Sequence, residues 1–260
     1  MGYPNMKITL NKNKSIGKVL FIVEGGSTEP YILRKIFTSI FDYQLEEKLR
    51  ERNYKKYNSK DNPNSQVFVI NAEESNIKYI AKDNEFLNNL FIELIENYDF
   101  DIDNAAIFYL FDRDCHSNTD SEFIKSLLNE LTNSRENNGY GKQGILLLSY
   151  PSIESFTFSN FEEGSFQNKL SLGSEVKSEL NTRNYNHQRI NDQTIVFATN
   201  ELFSAFKHMK IDNYDIDNFG DCNMSIYEYQ ERIYSEEKLY HLLSLMCISL
   251  IDLGLIEVDD

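Results

Sequence analysis

Four acidic residues stand where apolar runs of this sequence give way to polar ones. Glu24 follows the run Lys18-Val19-Leu20-Phe21-Ile22-Val23 and precedes Gly25-Gly26. Asp112 and Asp114 follow seven apolar residues, Ala105-Ala106-Ile107-Phe108-Tyr109-Leu110-Phe111. Glu154 follows Gly144-Ile145-Leu146-Leu147-Leu148-Ser149 after the short link Tyr150-Pro151-Ser152-Ile153. In extended backbone, residues i and i+2 point to one side. Asp112 and Asp114 therefore present two carboxylates together, with Arg113 turned away. Carboxylates this close repel, and a hard divalent cation relieves the repulsion. Magnesium or manganese fits better than zinc, because the set has no thiolate and only one imidazole nearby, His116. One or two such ions could clamp a phosphodiester and generate a hydroxide nucleophile.

The elements that must carry these acids can be read from the hydrophobic pattern. Short apolar runs rich in β-branched residues suit strands buried on both faces, as in a parallel sheet. After Glu24, itself weighed against a plain N-terminal helix acid that favours the dipole, Ser27-Thr28-Glu29-Pro30 combines a hydroxyl cap, a first-turn acid and an early proline that mark a helix start. Leu33, Ile36, Phe37, Ile40 and Phe41 continue it as a helix, expected to run on into the charged stretch 46–52. Residues 53–65 are polar and read as a loop. Gln66 to Asn71 reads as a second strand, and Ile77, Ile80, Leu87, Leu90, Phe91, Leu94, Ile95 and Tyr98 trace a second helix. The third strand ends at Asp112. A third helix carries Phe123, Ile124, Leu127, Leu128 and Leu131, and the fourth strand ends near Ser149. The order β-α-β-α-β-α-β over residues 18–149 predicts an α/β fold with a parallel sheet flanked by helices. Ligands of such sheets bind outside the carboxyl ends of the strands, the edge to which all four acids belong.

Residues 1–160 are expected to form this unit, with 161–260 a mainly helical C-terminal region packed on it or extending it. The clearest helix there is read from a cap at Ser235 through Leu239, Leu242, Leu243, Met246, Leu250 and Ile251. Residues 180–194 read as a loop or arm, and the acidic end 257–260 as a solubilising tail.

The chain has 260 residues, 26 Lys+Arg and 41 Asp+Glu, for a net charge of −15. At 41% apolar and 13% aromatic content it is too hydrophobic for a disordered acidic chain. The sign of the charge excludes a simple nucleic-acid coat. It leaves room for a site where bound cations or a local basic patch meet a polyanion. Cys115, Cys222 and Cys247 are scattered and odd in number, against a disulfide framework or zinc knuckle and in favour of a reducing compartment. No apolar core of signal-peptide length opens the sequence, and the most apolar window, near Leu239 to Ile256, carries His241 and Asp252. A cytoplasmic location away from the membrane is expected. Lys48 to Arg52, Lys55 and Lys56, with Tyr54 and Tyr57, are the candidate basic patch with stacking aromatics, weighed against a plain charged helix end. Lys142 is a candidate phosphate contact, weighed against a solvated lysine. Arg113 is expected to pair with a neighbouring acid, and His116 to be a loop histidine.

The series FIVEGGSTEPYIL, LFDRD and YPSIESF, over residues 18–160, resembles the Toprim domain, and most of all the compact bacterial Toprim proteins of the OLD, RloB and PARIS-effector kind. That resemblance implies a Rossmannoid sheet, with a Glu ending the first strand and D-x-D ending the third. It implies a nuclease in which Asp112 and Asp114 bind Mg2+ or Mn2+, Glu154 completes the site, and Glu24 binds metal or moves a proton. The substrate would be RNA, transfer RNA in particular, or DNA, and the setting bacterial antiphage defence. No GxxxxGK(S/T) sequence occurs, so an ATPase would have to come from a partner chain; a homodimer is also open. A topoisomerase is disfavoured, with no evident place for a separate tyrosine domain. Two alternatives remain. One is a non-catalytic subunit docking on a partner ATPase or sensor. The other is a different magnesium-dependent phosphoryl-transfer enzyme, such as a HAD-like phosphatase, against which stands a first strand ending in Glu rather than Asp.

Overall fold

The structure, a computed structural model, describes residues 6–46, 54–72, 77, 80, 84–116, 118–137, 143–211 and 214–259. Strand β1 (Lys7–Leu10) leads to β2 (Lys18–Val23), whose Val19, Leu20, Phe21, Ile22 and Val23 are wholly buried. Helix α1 (Thr28–Lys35) continues into a wider π-type turn, Ile36–Ile40. Next come β3 (Tyr43–Leu45), β4 (Tyr54–Ser59), β5 (Gln66–Asn71), α2 (Asn84–Tyr98), β6 (Ala106–Asp112), α3 (Ser121–Glu130), β7 (Thr132–Asn137) and β8 (Gln143–Tyr150). The remainder comprises α4 (Glu154–Ser159), β9 (Lys169–Leu170), α5 (Gly173–Thr182), α6 (Asp192–Met209), α7 (Gly220–Glu237), β10 (Tyr240–His241), β11 (Leu243–Ser244), α8 (Met246–Asp252) and β12 (Ile256–Asp259).

The central sheet runs β11-β8-β6-β2-β5-β4-β3, with β7 also paired to β8. Its core, β8-β6-β2-β5, is parallel; β4, β3, β7 and β11 join antiparallel. The molecule is thus α/β, with a mixed, largely parallel sheet flanked by helices and compatible with a Rossmann-like arrangement. The near-continuous apolar runs are explained by burial on both faces. Each such side chain contributes about 1.5–3 kcal/mol on leaving water, enough to hold β2 at the centre against roughly 1–2 kcal/mol per residue of backbone ordering. Phe21 stacks on Phe108 of the neighbouring strand at 5.1 Å.

Several expectations need correction. Helix α1 and its π turn stop at Ile40, and Tyr43–Leu45 is a strand. The supposed loop at 53–65 contains β4, whose Tyr54 and Tyr57 are buried. Polar composition hid it: Tyr54 and Tyr57 fall on opposite faces, each sharing its face with half-buried polar residues, Lys56 and Asn58 on one and Lys55 and Ser59 on the other. An unforeseen strand, β7, pairs with β8. Ser235 does not cap a helix; it lies in the last turn of α7, which ends where Lys238 adopts a left-handed φ of 60°. Leu243–Ser244 then adds to the edge of β8, and only from Met246 does a helix resume. A short apolar run satisfies helix and strand periodicities alike, so an unpaired sheet edge decided the matter. Residues 180–194 are ordered as the end of α5, a 3-10 turn at His187–Arg189, and the start of α6, capped by Asn191. The acidic end forms β12, paired with β1, and Glu257 accepts a hydrogen bond from Asn11 at 2.7 Å. Residues 161–260 thus contribute an edge strand to the central sheet as well as helices. No helix among the described residues is long and apolar enough to cross a membrane.

Candidate active site at the strand ends

In sequence order the parallel strands are β2, β5, β6 and β8, and in space they run β5-β2-β6-β8. The chain steps outward from β2 to β5, then crosses back to β6 on the other side of β2. The carboxyl ends of β2 and β6 therefore flank the point where crossovers diverge, where such sheets open a crevice. Glu24 is the residue after β2, and Asp112 is the last residue of β6.

The two are joined directly: the Asp112 N–H donates to Glu24 Oε2 at 2.7 Å. Asp112 Oδ1 in turn accepts from the Ile153 N–H at 2.8 Å, just beyond β8. Glu154, 5% exposed, accepts from Ser152 Oγ at 2.7 Å and from Thr28 Oγ1 at 3.4 Å, and pairs with Lys177 Nζ at 3.3 Å. Asp114 accepts from the His116 N–H at 2.9 Å, and its charge reaches Glu24. All four predicted acids are thus brought to one end of the sheet.

A fifth acid joins them. Glu29, in the first turn of α1 and 4% exposed, accepts the Gly25 N–H at 3.0 Å. A Cβ on Gly25 would lie 2.5 Å from Glu29 Oε2, so only glycine lets the carboxylate approach. The sequence marks Glu29 only as a first-turn acid at a helix start; its place one turn beyond Glu24 and Gly-Gly was the available signal. Asn118, 1% exposed, was also missed. Its N–H donates to the Asp114 carbonyl at 2.9 Å, and its Nδ2 donates to the Asp112 carbonyl at 3.3 Å.

Crowding and burial set the electrostatics. Desolvation, then the charges of Glu29 and Asp114, hold Glu24 up at about 7 against the opposing hydrogen bond from Asp112. Glu29 is raised by burial and by Glu154. Asp112 is raised well above the usual carboxylate range by burial of its carboxyl group and by Glu29, Glu24 and Glu154. Within this group the described ion pair is that of Lys177 with Glu154.

Arg113 points elsewhere, as the alternation requires. It is 2% exposed, pairs with Glu231 of α7 through Nε and Nη2 at 2.8 and 2.9 Å, and donates to the Asn118 carbonyl at 2.7 Å. His116 is exposed and Cys115 is a half-buried free thiol. The expected basic patch is not assembled from the described residues. Tyr57 is fully buried, Tyr54 is buried with its hydroxyl on Glu93, and Lys56 pairs with Glu46 at 3.3 Å. Residues 48–52 and Lys142 lie outside the described residues.

The donor set is all oxygen, the kind that hard divalent ions take. As the side chains stand, no three His, Cys, Asp or Glu among the described residues converge into a ready metal cage. Glu24 and Asp112 each hold a backbone N–H with one oxygen. No hydrogen bond among the described residues reaches Oδ2 of Asp112 or Oδ2 of Asp114, which leaves these two atoms open to an ion. Compared with protein-family models, with curated proteins and with solved structures, the chain matches none.

Proposed function

We propose that the chain is a divalent-metal-dependent phosphodiesterase of the Toprim kind, acting on nucleic acid as the effector of a bacterial antiphage system. The observation that carries this reading is the gathering of Glu24, Glu29, Asp112, Asp114 and Glu154 at the strand ends, with three of them held above their ordinary pKa by burial and mutual repulsion. Such repulsion is a standing deficit of positive charge, and perturbed acids cluster where chemistry is done. The order of the motifs along the chain, Glu after the first strand and D-x-D after the third, supports the same family.

Asp112 and Asp114 would hold Mg2+ or Mn2+, Glu154 would complete the set, and Glu24 would bind metal or move a proton. When bound, the ion polarises the phosphodiester and lowers the pKa of a bound water. Left off the ion, Glu24, near 7 in the metal-free cluster, is suited to take up or release a proton at neutral pH. The Asp112–Ile153 and Asp112–Glu24 hydrogen bonds keep both carboxylates in place. An ATPase partner and a cytoplasmic location belong to the same proposal.

The test is incubation of the full chain with total RNA and with plasmid DNA, with and without manganese, beside Glu24→Ala and Asp112→Ala. Cleavage by the wild type only when the ion is present, and none by variants that still melt cooperatively, is the expected result. Normal cutting by both variants would end the reading, as would a wild type inert on both substrates. One observation favours a second reading, a non-catalytic subunit docking on a partner. Glu24 and Asp112 already tie neighbouring strand ends together, which is a structural role. Co-purification with a partner and no response to metal would support it.

A further inference from the structure

The acid cluster has a neighbour of opposite character. Residues 173–189 carry Lys177, Arg183, His187 and Arg189 against the acids Glu175 and Glu179, in a chain of net charge −15. The fold presses this segment against the site. A Cβ on Gly173, the first residue of α5, would lie 2.8 Å from Ser152 Oγ, so the helix starts in contact with the turn that carries Glu154. One turn on, Lys177 reaches Glu154 at 3.3 Å while its side chain stays 60% exposed. The 3-10 turn His187–Arg189, capped by Asn186, sets the His187 ring edge-on to Tyr31 of α1, centroids 4.8 Å apart. Tyr31 lies two residues beyond Glu29, and His187 is close enough to Glu154 to feel its charge.

Not every cation of the segment is free. Arg183 is engaged by Glu162 at 2.8 Å and Glu179 at 3.2 Å. Arg189 is exposed, lies over the Phe161 ring at 5.8 Å, and its guanidinium donates only to the Asn184 carbonyl at 3.2 Å among the described contacts. Phe161 itself stacks on Tyr185 at 5.4 Å. Half-buried rings beside exposed cations are what a sequence-tolerant platform for unpaired bases needs, since base faces are hidden in a duplex.

We infer that residues 173–189, with Tyr31, are the wall that binds a single-stranded stretch of nucleic acid, Lys177 and Arg189 meeting backbone phosphates and the Tyr31–His187 pair supporting a base. This rests on the reading of the strand-end acids as the cutting centre, and names what that centre is offered. A local patch of this sign offsets the repulsion that the rest of so acidic a surface exerts on a polyanion.

Fluorescence anisotropy of a labelled oligonucleotide, single-stranded and then annealed to its complement, tests the wall on the full chain with calcium present. Arg189→Gln and Tyr31→Leu should each weaken single-strand binding about tenfold, and Arg189→Gln should lower the slope of log affinity against log salt by about one. Lys238→Gln, an exposed charge outside the segment, should stay within about twofold of wild type. Thermal melts of each variant separate loss of binding from loss of fold. Unchanged binding by folded Arg189→Gln and Tyr31→Leu overturns the inference. So does a wild type that prefers duplex or binds neither form. A wild type that binds single strands through these residues yet never cuts would keep the wall and remove the nuclease reading. Cleavage with an unchanged KM in both variants would do the reverse.

Discussion

Glu24 shows how a side chain can oppose the stability of the fold that holds it. Its pKa is 4.5 in the ordinary state and about 7 when folded. Between those values the folded chain binds more protons than the unfolded chain, so stability falls as pH rises through the interval. Fully ionised, this residue alone withholds on the order of 3 kcal/mol. Glu24→Gln should therefore raise the melting temperature at pH 8 and have little effect at pH 4, as differential scanning calorimetry would show. Magnesium or manganese should raise the wild-type melting temperature at pH 8, because an ion bound to the ionised cluster removes the same penalty. Its affinity should grow as pH passes about 7, since carboxylates must shed protons to ligate. A wild type whose melting temperature ignores both ions at pH 8 would count against metal binding. Glu24, Asp112, Asp114 and Glu154 were legible in the sequence because each follows an apolar run that ends abruptly. Glu29 was not, because a first-turn acid has an ordinary local explanation.

Helix α7 fixes the turn that carries Asp112 and Asp114. Arg113 lies between the Tyr227 and Tyr240 rings, 5.9 Å from each centroid, while its guanidinium takes both oxygens of Glu231. Tyr240 also donates to Glu231 at 3.1 Å. Glu231→Gln would leave a buried guanidinium half-paired, at roughly 2 kcal/mol, discounted because Glu231 is itself partly exposed. Urea unfolding should report that loss. Cleavage should fall further than stability does, because the carboxylates lose their registration; a variant that is destabilised but fully active would show the pair to be structural only. The alternation of Asp-Arg-Asp foretold that Arg113 turns from the acids, yet its partner stands 118 residues away in sequence. The last helix was misplaced for a related reason. Leu242 and Leu243 have no local preference strong enough to override a free edge on β8.

At the scale of the molecule, the two ends of the chain meet in β1 and β12, and β11 closes the edge of β8 at Ser149 and Tyr150. Leu245, Met246, Ile248 and Leu250 are buried with the main core. A fragment ending at residue 160 would uncover that edge, so it should lack a cooperative melt by circular dichroism, whereas the full chain should show one. A cooperative transition in the fragment would mark residues 1–160 as self-sufficient. By itself the sequence determined the buried strands, the helices between them and the strand ends at which four acids fall, because periodicity and burial on both faces are local properties written in consecutive residues. Only the tertiary structure decided the order β5-β2-β6-β8, which sets Glu24 beside Asp112, the entry of Glu29 and Asn118 into their company, and the delivery of Lys177 and His187 from a distant segment. Those are contacts between residues far apart along the chain, chosen by which faces and edges remained to be covered once the strands had paired.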